Sequence, residues 1–532
     1  MPGGGSVSRI QPEALPIRRP RWFAAAAVAA LLTVATLAAS APARADVLTP
    51  AWSPVTDFGS LYSVTTAIGA RAMWAEGYTG EGIGVALIDS GTVPVQGLQG
   101  QVIAGPDLSF ESLDTNVTCL DTFGHGTHLA GIIAGRDPGP WPLTGDDPNR
   151  FLGVAPGAKV ISLKVAACDG AVDVTQVLAA IDWVVAHRDD KGLNIRVLCL
   201  AFGTDSLQPA DIDPLTYAVE QAWLKGIVVV VSAGNSGSRG VLNDPATNPY
   251  VIAVGASDMH GTYDSGDDAV PSWSSRGNAA RTPDLVAPGK SIVSLRNPGC
   301  AVDQEHPEAR VGDRFFRGSG TSQAAAVVAG AAALLIQEWP DLRPDGVKAM
   351  LTSSADPLPG ADRASAGAGA IDLFRAQAAG KAAKAEQKLP KAQGTGSLEA
   401  ARGSNHVADN GVELVGEQDI FGHPWIVHYW TDHSHAGNNW QLDKTGLSWN
   451  GNLWLTSTGK LSASSTSDLS GRSWSGRSWS GRSWSGCSWS GRSWSNNTWT
   501  GRSWSGRSWS GRSWSAGNWS GRSWSTCGWA HD

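Results

Sequence analysis

From about Thr79 onward, short apolar runs rich in Val and Ile alternate with longer amphipathic segments. Short, nearly continuous apolar runs are typical of strands that are buried on both faces of a parallel sheet covered by helices. We therefore expect an α/β fold, a three-layer, doubly wound sandwich around a mainly parallel sheet. The predicted strands are residues 83–88, 159–165, 196–202, 227–232 and 251–255.

Helical periodicity occurs between these strands, at residues 174–187 and 214–225. A third segment, residues 322–338, is apolar on nearly all sides and predicts a helix buried in the core. The helix-like segment 345–354 should close the domain near residue 375. The pattern thus predicts one large domain at residues 79–375, preceded by an N-terminal segment at 46–78.

The chain changes character after this domain. Residues 376–397 are rich in Ala, Lys and Gln, which is typical of a linker or an exposed helix, and we assign them as a linker. Residues 398–455 regain Trp and β-forming residues and predict a small module whose fold the pattern does not assign. Residues 456–532 form a repeat tail rich in Trp, Arg, Ser and Gly.

The tail has a strict period of five, because Trp recurs at every fifth residue from Trp474 to Trp529, mostly in the unit Gly-Arg-Ser-Trp-Ser. This period matches neither a helix nor a strand. A β-solenoid with five residues per side would bring the Trp side chains to one face. We favour a flexible, low-complexity chain with adhesive aromatic residues over that solenoid.

Charge is divided unevenly along the chain. The formal net charge is -7, but residues 471–532 carry eight Arg against one acidic residue, Asp532, which gives +7 for the tail and -14 for the rest. A basic tail on an acidic body predicts binding either to that body or to an anionic surface. We expect no nucleic-acid partner.

The first 45 residues have the features of a signal peptide. Three Arg residues precede an apolar run at 22–39, and a small-x-small cleavage pattern, Ala43-Arg44-Ala45, follows it. The run is on the short side of the roughly 20 residues that a membrane-spanning helix needs. We therefore expect a secreted, extracellular protein with no transmembrane anchor after cleavage.

Six cysteines in an exported chain permit disulfides without fixing their pairing. We expect Cys119 and Cys168 to pair. Cys199 lies in an apolar run and should be a buried free thiol. Cys487 and Cys527 in the tail are candidates for a second pair, and Cys300 has no assigned partner.

Three motifs carry candidate chemistry. Residues 85–91, Val-Ala-Leu-Ile-Asp-Ser-Gly, form an apolar strand that ends in the carboxylate of Asp89. In residues 124–131, glycines on both sides of His125 allow backbone and substrate to approach its imidazole. In residues 318–325, Ser322 opens the predicted buried helix, where its hydroxyl would lie beside free backbone N–H groups at the positive end of the helix dipole.

These motifs, in this chain order, resemble the subtilisin-like serine peptidases over roughly residues 70–370. A fourth segment agrees with them: residues 232–237, Ser-Ala-Gly-Asn-Ser-Gly, resemble the oxyanion segment of the family and map its asparagine onto Asn235. Residues 251–256 and 287–289 also look like family segments.

The resemblance implies a secreted serine endopeptidase. Ser322 would be the nucleophile, His125 the general base, and Asp89 the residue that orients the imidazole. The Asn235 amide and the backbone N–H of Ser322 would hold the oxyanion. This chemistry requires no cofactor or catalytic metal. Calcium sites are frequent in the family, but no loop of this sequence demands one.

The resemblance also implies a binding site for protein or peptide substrates. Where the family has a Ser-Leu-Gly segment, this chain has Ala201-Phe202-Gly203, which can pair with an extended peptide as an added strand. The oxyanion segment would contribute Ser232, Ala233 and Gly234. The alignment places Asn243 and Asp244 near the base of the pocket for the residue before the scissile bond. A carboxylate there would favour Arg or Lys.

The sequence departs from the family pattern after Ser322. Gln323 replaces a usual Met, and Ala326 and Val327 replace a Pro-His pair, which should change local packing but not the chemistry. Segment 46–78 is also too short for the compact prodomain that many relatives carry, so inhibition by such a domain is not expected.

Two polar residues near His125 receive structural interpretations. His128 lacks a His-Glu-x-x-His context, so we expect a packed, hydrogen-bonded histidine rather than a metal ligand. Asp121 is expected to be a loop or capping residue rather than a catalytic acid.

An alternative function is attachment to the cell envelope, with the peptidase domain secondary. Stacked Trp side chains suit sugar faces and Arg suits phosphate or carboxylate, so the tail is a candidate for binding glycan or an anionic surface. A decayed peptidase would be expected to lose the residues named for catalysis, and all four are present: Asp89, His125, Asn235 and Ser322. We therefore favour the enzyme.

Overall fold

The computed structural model describes residues 52–420 except 113, 115, 142, 144–146, 238–239, 383 and 410–411, together with residues 425, 491–495 and 498–501. At its centre lies a seven-stranded sheet in the order β2-β3-β1-β4-β5-β6-β7, in which all neighbouring strands pair in parallel. Helices flank this sheet, which confirms the predicted α/β fold. Its strands are β1 (Gly84–Asp89), β2 (Val102–Asp107), β3 (Lys159–Lys164), β4 (Ile195–Leu200), β5 (Val228–Ser232), β6 (Ile252–Ser257) and β7 (Leu285–Pro288).

Burial explains why the strands are continuous apolar runs. Every residue of β1, β5, β6 and β7 is buried, so there is no solvent face that would require alternating polar residues. The five predicted strands correspond to β1, β3, β4, β5 and β6. The pattern missed β2, which contains Gly and Pro, and β7, which is only four residues long.

The helices begin at clear local signals. Asp173 and Gln176 form a capping box at α4, and Asp213 caps α5 directly before a proline at the first helical position. The helices are α1 (Leu61–Ala67), α2 (Ala70–Ala75), α3 (His125–Ala134), α4 (Val174–His187), α5 (Pro214–Leu224), α6 (Ala301–Glu305), α7 (Thr321–Glu338), α8 (Pro344–Ser354), α9 (Arg363–Ala366), α10 (Leu373–Ala379) and α11 (Leu398–Arg402).

Helix α7 is the central helix of the domain. All its residues from Thr321 to Ile336 are buried, and it packs against β4, β5, β6 and β7 as well as α3. The Ala and Gly residues allow this close packing; a Cβ on Gly330 would lie 2.6 Å from Val154 Cβ. The prediction of a helix buried in the core is confirmed.

Smaller sheets complete the described structure. An antiparallel sheet has the order β8-β10-β9, and two further antiparallel pairs are β11 with β12 and β13 with β14. The signal peptide and most of the predicted small module and repeat tail lie outside the described residues. The strands are β8 (Ile292–Leu295), β9 (Arg310–Val311), β10 (Phe315–Gly318), β11 (Ala408–Asp409), β12 (Val412–Glu413), β13 (Gly491–Ser495) and β14 (Thr498–Gly501).

Residues 387–409, here called the C-terminal strap, pack on the large domain, although this range includes part of the predicted linker. The Tyr250 hydroxyl donates to the Leu389 carbonyl at 2.6 Å, and the Ala392 N–H donates to the Glu220 carboxylate at 3.0 Å. Leu398 and Ala401 are fully buried in the main core. Apolar burial thus continues well past residue 375, while the predicted domain limits stay a prediction.

Cys119 and Cys168, the expected pair, are both disulfide-bonded. Cys199 and Cys300 are buried free thiols, as expected for Cys199. Cys487 and Cys527 lie outside the described residues. In the described part of the chain, no helix has the length and apolar character needed to cross a membrane.

Candidate active site

The first candidate residue, Asp89, is the last residue of β1, which lies inside the sheet between β3 and β4. Its side chain is buried, and its Oδ1 accepts a hydrogen bond from the backbone N–H of Ser90 at 2.8 Å. The carboxyl ends of parallel strands meet at one edge of a sheet, and in open α/β sheets ligands bind outside that edge. Asp89 therefore lies where a substrate site is expected.

His125 is the first residue of α3 and contacts Asp89 directly. Its Nδ1 lies 2.9 Å from each carboxylate oxygen of Asp89, and the His125 side chain is 27% exposed. The flanking glycines make this approach possible. Gly124 has a left-handed φ of 112°, and a Cβ on Gly126 would lie 2.1 Å from the Gly91 carbonyl oxygen.

Asp121 anchors the start of α3. Its carboxylate accepts hydrogen bonds from the backbone N–H groups of Gly124 at 2.6 Å and Thr127 at 2.8 Å, and from the Ser90 hydroxyl at 2.8 Å. One side chain therefore satisfies two backbone donors at the helix start as well as the Ser90 hydroxyl. These contacts agree with the predicted loop or capping role of Asp121.

These charges act on the imidazole. Burial alone would lower the pKa of His125, but the negative charge of Asp89, its hydrogen bond and the charge of Asp121 together raise that pKa above its ordinary value. Burial raises the pKa of Asp121 itself. The site thus stabilises an imidazolium, as a general base requires after it has taken a proton.

A buried ion pair lies behind this pair of residues and was not predicted. Lys164, at the end of β3, is 2.9 Å from the Glu111 carboxylate and also donates to the Ser90 carbonyl at 2.9 Å. Both charged side chains are almost completely buried. One indication of this ion pair was present in the sequence: Lys164 lies near the end of a predicted strand. In the sheet, Lys164 lies opposite Asp89 in the register of β3 and β1.

Ser322 lies at the start of α7, and Asn235 contacts the same helix start. Ser322 is the second residue of α7 and is largely buried. Asn235 follows β5, and its Oδ1 accepts from both the backbone N–H and the hydroxyl of Thr321, each at 3.0 Å. Because Oδ1 is held in this way, the Nδ2 group remains as the available donor.

Gly320 keeps the space between two N–H donors open. A Cβ at this position would lie 3.5 Å from Asn235 Nδ2 and 3.7 Å from the backbone nitrogen of Ser322. Two donors beside one space are the arrangement that binds a developing oxyanion. Since α3 and α7 pack together, His125 and Ser322 lie at the N-terminal ends of two neighbouring helices.

The predicted substrate-binding residues lie on two adjacent segments. Ala201, Phe202 and Gly203 follow the end of β4, and Ala233 and Gly234 follow Ser232, the last residue of β5. Asn243 lies between them. A Cβ on Gly203 would lie 3.0 Å from Asn243 Cβ, and one on Gly234 would lie 2.2 Å from Asn243 Oδ1.

Asp244 does not share this position. Its side chain is 1% exposed and accepts a hydrogen bond from the Thr247 hydroxyl at 2.5 Å. Burial, with the nearby charge of Asp213, raises the pKa of Asp244 well above its ordinary value. The hypothesis of an accessible carboxylate that selects Arg or Lys is therefore wrong in its geometry, because the carboxyl group is enclosed with a second acidic residue.

His128 is also corrected. It is buried as expected, but within the described part of the chain neither ring nitrogen has a hydrogen-bond partner. Burial and the charge of His125 lower the pKa of His128 to about 3. The ring packs so close to Gly318 that a Cβ there would lie 3.1 Å from Nε2. The described residues contain no group of three or more His, Cys, Asp or Glu side chains that could hold a metal ion.

Known proteins are similar to this chain over its large domain. Residues 80–396 match the Subtilase family. Serine protease AprX of Bacillus subtilis (strain 168) is 36% identical over 301 residues, which cover 55% of this chain and 66% of AprX. Subtilisin DY of Bacillus licheniformis is 32% identical over 295 residues, covering 55% of this chain and 90% of that protein. The minor extracellular protease Epr of Bacillus subtilis (strain 168) is 30% identical over 329 residues, but this region covers only 43% of Epr.

Proposed function

The chain belongs to the subtilase family of serine-type endopeptidases, and from this premise we propose that Asp89, His125 and Ser322 hydrolyse peptide bonds through an acyl-enzyme intermediate. The observation that carries the proposal is the 2.9 Å contact between His125 Nδ1 and the Asp89 carboxylate. With Nδ1 bonded to a carboxylate, the proton stays on that nitrogen, and Nε2 is left as the base.

In the first half of the reaction, the Ser322 hydroxyl oxygen attacks the carbonyl carbon of the substrate while its proton moves to His125 Nε2. The tetrahedral intermediate then collapses, the C–N bond breaks, and His125 returns the proton to the leaving amine. Asp89 stabilises the imidazolium between these steps and does not itself accept the proton.

The oxyanion of the intermediate would be held by Asn235 Nδ2 and the backbone N–H of Ser322. The space between these donors is left open by Gly320, and the Asn235 amide is already oriented by Thr321. Donors that are oriented before the reaction need no reorganisation when charge develops, which is why such groups lower the barrier.

In the second half, water takes the place of the amine. His125 removes a proton from this water, the resulting nucleophile attacks the acyl-enzyme ester, and the proton passes to Ser322 as the acyl group leaves. Every step uses side chains and backbone groups of the chain, so the proposed chemistry requires no organic cofactor.

The substrates would be proteins or peptides bound in extended form. Ala201–Gly203 would pair with the peptide backbone, and Ser232–Gly234 would form the facing wall. Asn243, which lies between Gly203 and Gly234, supplies an uncharged amide to the pocket beside the scissile bond.

The first test is labelling of the purified protein with a fluorophosphonate probe, comparing the wild type with Ser322→Ala. Labelling that disappears in the variant is expected, because the probe reacts only with an activated serine. A folded wild type that is not labelled and cleaves no peptide would contradict the proposal.

We further propose that the enzyme acts outside the cell and that its repeat tail attaches it to an anionic or glycan-containing surface. The signal-peptide features of residues 1–45 and the net charge of +7 on residues 471–532 support this location. Peptide-bond hydrolysis remains the proposed main function, and attachment is secondary to it.

Attachment can be tested by sedimentation of the full-length protein with purified bacterial cell walls, beside a variant that ends at residue 470. The full-length protein should sediment with the walls and be released by salt, since Arg contacts with anions are screened. Equal binding of the two proteins would contradict a role of the tail.

A further inference from the structure

The part of the C-terminal strap that follows residue 396, where the family match ends, contacts the candidate substrate site. The Thr204 hydroxyl donates to the Ala401 carbonyl at 2.7 Å. Ser404 donates to the Asp205 carboxylate through its backbone N–H at 2.6 Å and its hydroxyl at 2.7 Å. These contacts begin one residue after Gly203, so the strap borders the end of the substrate-binding segment.

The strap is built firmly into the fold. The Arg402 guanidinium is fully buried and donates to Asp173 at 2.7 Å, and the Asp173 side chain is also fully buried. Arg402 further donates to the carbonyls of Gly416 at 2.7 Å and Gln418 at 2.6 Å. Removing one partner of such a buried pair is strongly unfavourable. The strap is therefore held firmly against the domain beside the substrate-binding segment.

One strap residue reaches the substrate-binding backbone itself. The Asn405 side-chain amide donates to the Gly203 carbonyl oxygen at 3.2 Å, and the Asn405 side chain is exposed to solvent. In an added strand, the carbonyl at this position would accept a hydrogen bond from a backbone N–H of the substrate. Asn405 and an extended substrate thus present donors to the same oxygen.

We propose that Asn405 is a specificity-determining residue that competes with the substrate backbone for the Gly203 carbonyl. A peptide long enough to reach Gly203 must share that oxygen or displace the Asn405 amide, so it gains less than a full hydrogen bond from this position. Lengthening the substrate should therefore raise kcat/KM less in this enzyme than it would if Asn405 did not contact Gly203. This inference rests on the proposed function.

The test is a series of chromogenic peptides, lengthened one residue at a time on the N-terminal side of the scissile bond. For each peptide, kcat/KM is measured for the wild type and for Asn405→Ala. In the variant, the ratio of kcat/KM for long over short peptides should rise by roughly two- to fivefold, the size of one net hydrogen bond at an exposed site. The rise should occur at the single length at which the backbone reaches Gly203.

Ser404→Ala is the matched control. It removes the hydroxyl contact with Asp205 but leaves the Asn405 contact with Gly203 in place, so its long-to-short ratio should equal that of the wild type. A ratio that is unchanged or lower in Asn405→Ala, with normal thermal unfolding, would overturn the inference. An equal rise in both variants would also overturn it, because loosening of the strap would then be the cause.

Binding measurements distinguish a failure of the proposed function from a failure of the inference about Asn405. The dissociation constants of the same peptides are determined for Ser322→Ala with and without Asn405→Ala. A wild type that hydrolyses none of the peptides contradicts the proposed function, whereas the change in the affinity ratio still tests Asn405. Asn405→Ala must strengthen binding of the long peptides relative to the short ones; no such change would overturn the inference.

Discussion

At the residue scale, Asn235 has two separable roles in one side chain. Its Oδ1 accepts from Thr321 at the start of α7, while its Nδ2 lies beside the space that Gly320 leaves open. The first contact belongs to the fold and the second to the proposed chemistry. A substitution that preserves one atom and removes the other can therefore distinguish them.

Asn235→Ala is expected to lower kcat by about 10²- to 10³-fold, because the oxyanion loses a side-chain donor; loss of the oxyanion-hole asparagine of subtilisin itself has an effect of this size. Asn235→Asp is the matched control for folding, since it keeps an acceptor for Thr321 but presents no N–H to the oxyanion. Both variants should lose turnover, and only Asn235→Ala should lose thermal stability. Wild-type turnover in either would contradict the assignment.

A second prediction at this scale concerns pH. The proposed base works only when His125 is neutral, so kcat/KM should be high above its pKa and fall as the pH decreases through that value. The charges of Asp89 and Asp121 raise this pKa above 6.5, so the fall should begin at a higher pH than for an ordinary histidine.

Asp121→Asn removes one of these negative charges, which should lower the pKa of His125 and move the acid limb of the kcat/KM profile to lower pH. Asp189→Asn is the control, because that carboxylate is 82% exposed and pairs with Arg188 beyond the end of α4. A profile that Asp121→Asn leaves in place, or moves to higher pH, would show that Asp121 does not act on His125 electrostatically.

At the scale of elements, the site depends on two helices that begin at its centre. Helix α3 begins at His125 and α7 at Thr321, so the positive ends of both helix dipoles lie at the candidate site. Gly124 before α3 and Gly320 before α7 leave room beside each helix start, because neither residue has a Cβ.

Gly320→Ala tests the start of α7. The added Cβ would lie in the space between Asn235 Nδ2 and the Ser322 nitrogen, and only 2.8 Å from the flexible end of Gln323. The backbone at Gly320 is extended, with φ at 167°, so alanine is tolerated there. We expect normal thermal unfolding with kcat lowered by at least tenfold, about 1.4 kcal/mol in the barrier.

The comparison for this prediction is Gly330→Ala, in the same helix but packed against Val154. There the Cβ meets a core side chain 2.6 Å away, so stability should fall. The opposite outcome is that Gly320→Ala lowers stability as Gly330→Ala does and leaves kcat per folded molecule unchanged. That result would show that the open space at Gly320 does not contribute to catalysis.

At the scale of the whole molecule, the strap extends the core beyond the matched family region. Leu398, Ala401 and Val407 of the strap, and Leu414 just after it, are buried within the main hydrophobic cluster, and Arg402 is paired inside it. A charged residue at this depth is tolerated because its donors are satisfied by Asp173, Glu399 and two carbonyl groups.

Arg402→Met should lower the free energy of unfolding by about 3–5 kcal/mol, since Asp173 would remain as a buried, uncompensated charge. Glu399→Gln should cost less than about 1 kcal/mol, because Glu399 is 35% exposed and is the peripheral partner. Urea unfolding of both variants checks this. Equal effects would mean that the Arg402 and Asp173 pair does not anchor the strap.

The sequence by itself determined five of the seven strands of the central sheet, and the central helix. Buried parallel strands must be continuous apolar runs and a core helix must be apolar on all sides, so the local pattern was sufficient for β1, β5 and α7. The three motifs also named Asp89, His125 and Ser322 as candidates, because those motifs join special residues to glycines at fixed short spacing. The roles of these residues stay a proposal.

Only the tertiary structure decided which polar atoms meet. Asp244 lies near Asp213, His128 has no partner within the described residues, and Asn405 reaches Gly203 across about two hundred positions of the chain. Such contacts depend on packing between elements that are distant in sequence, and no periodicity of hydrophobic residues records them. The burial of apolar residues can be predicted from the local sequence pattern. The direction of these polar side chains depends on neighbours that are distant in the sequence.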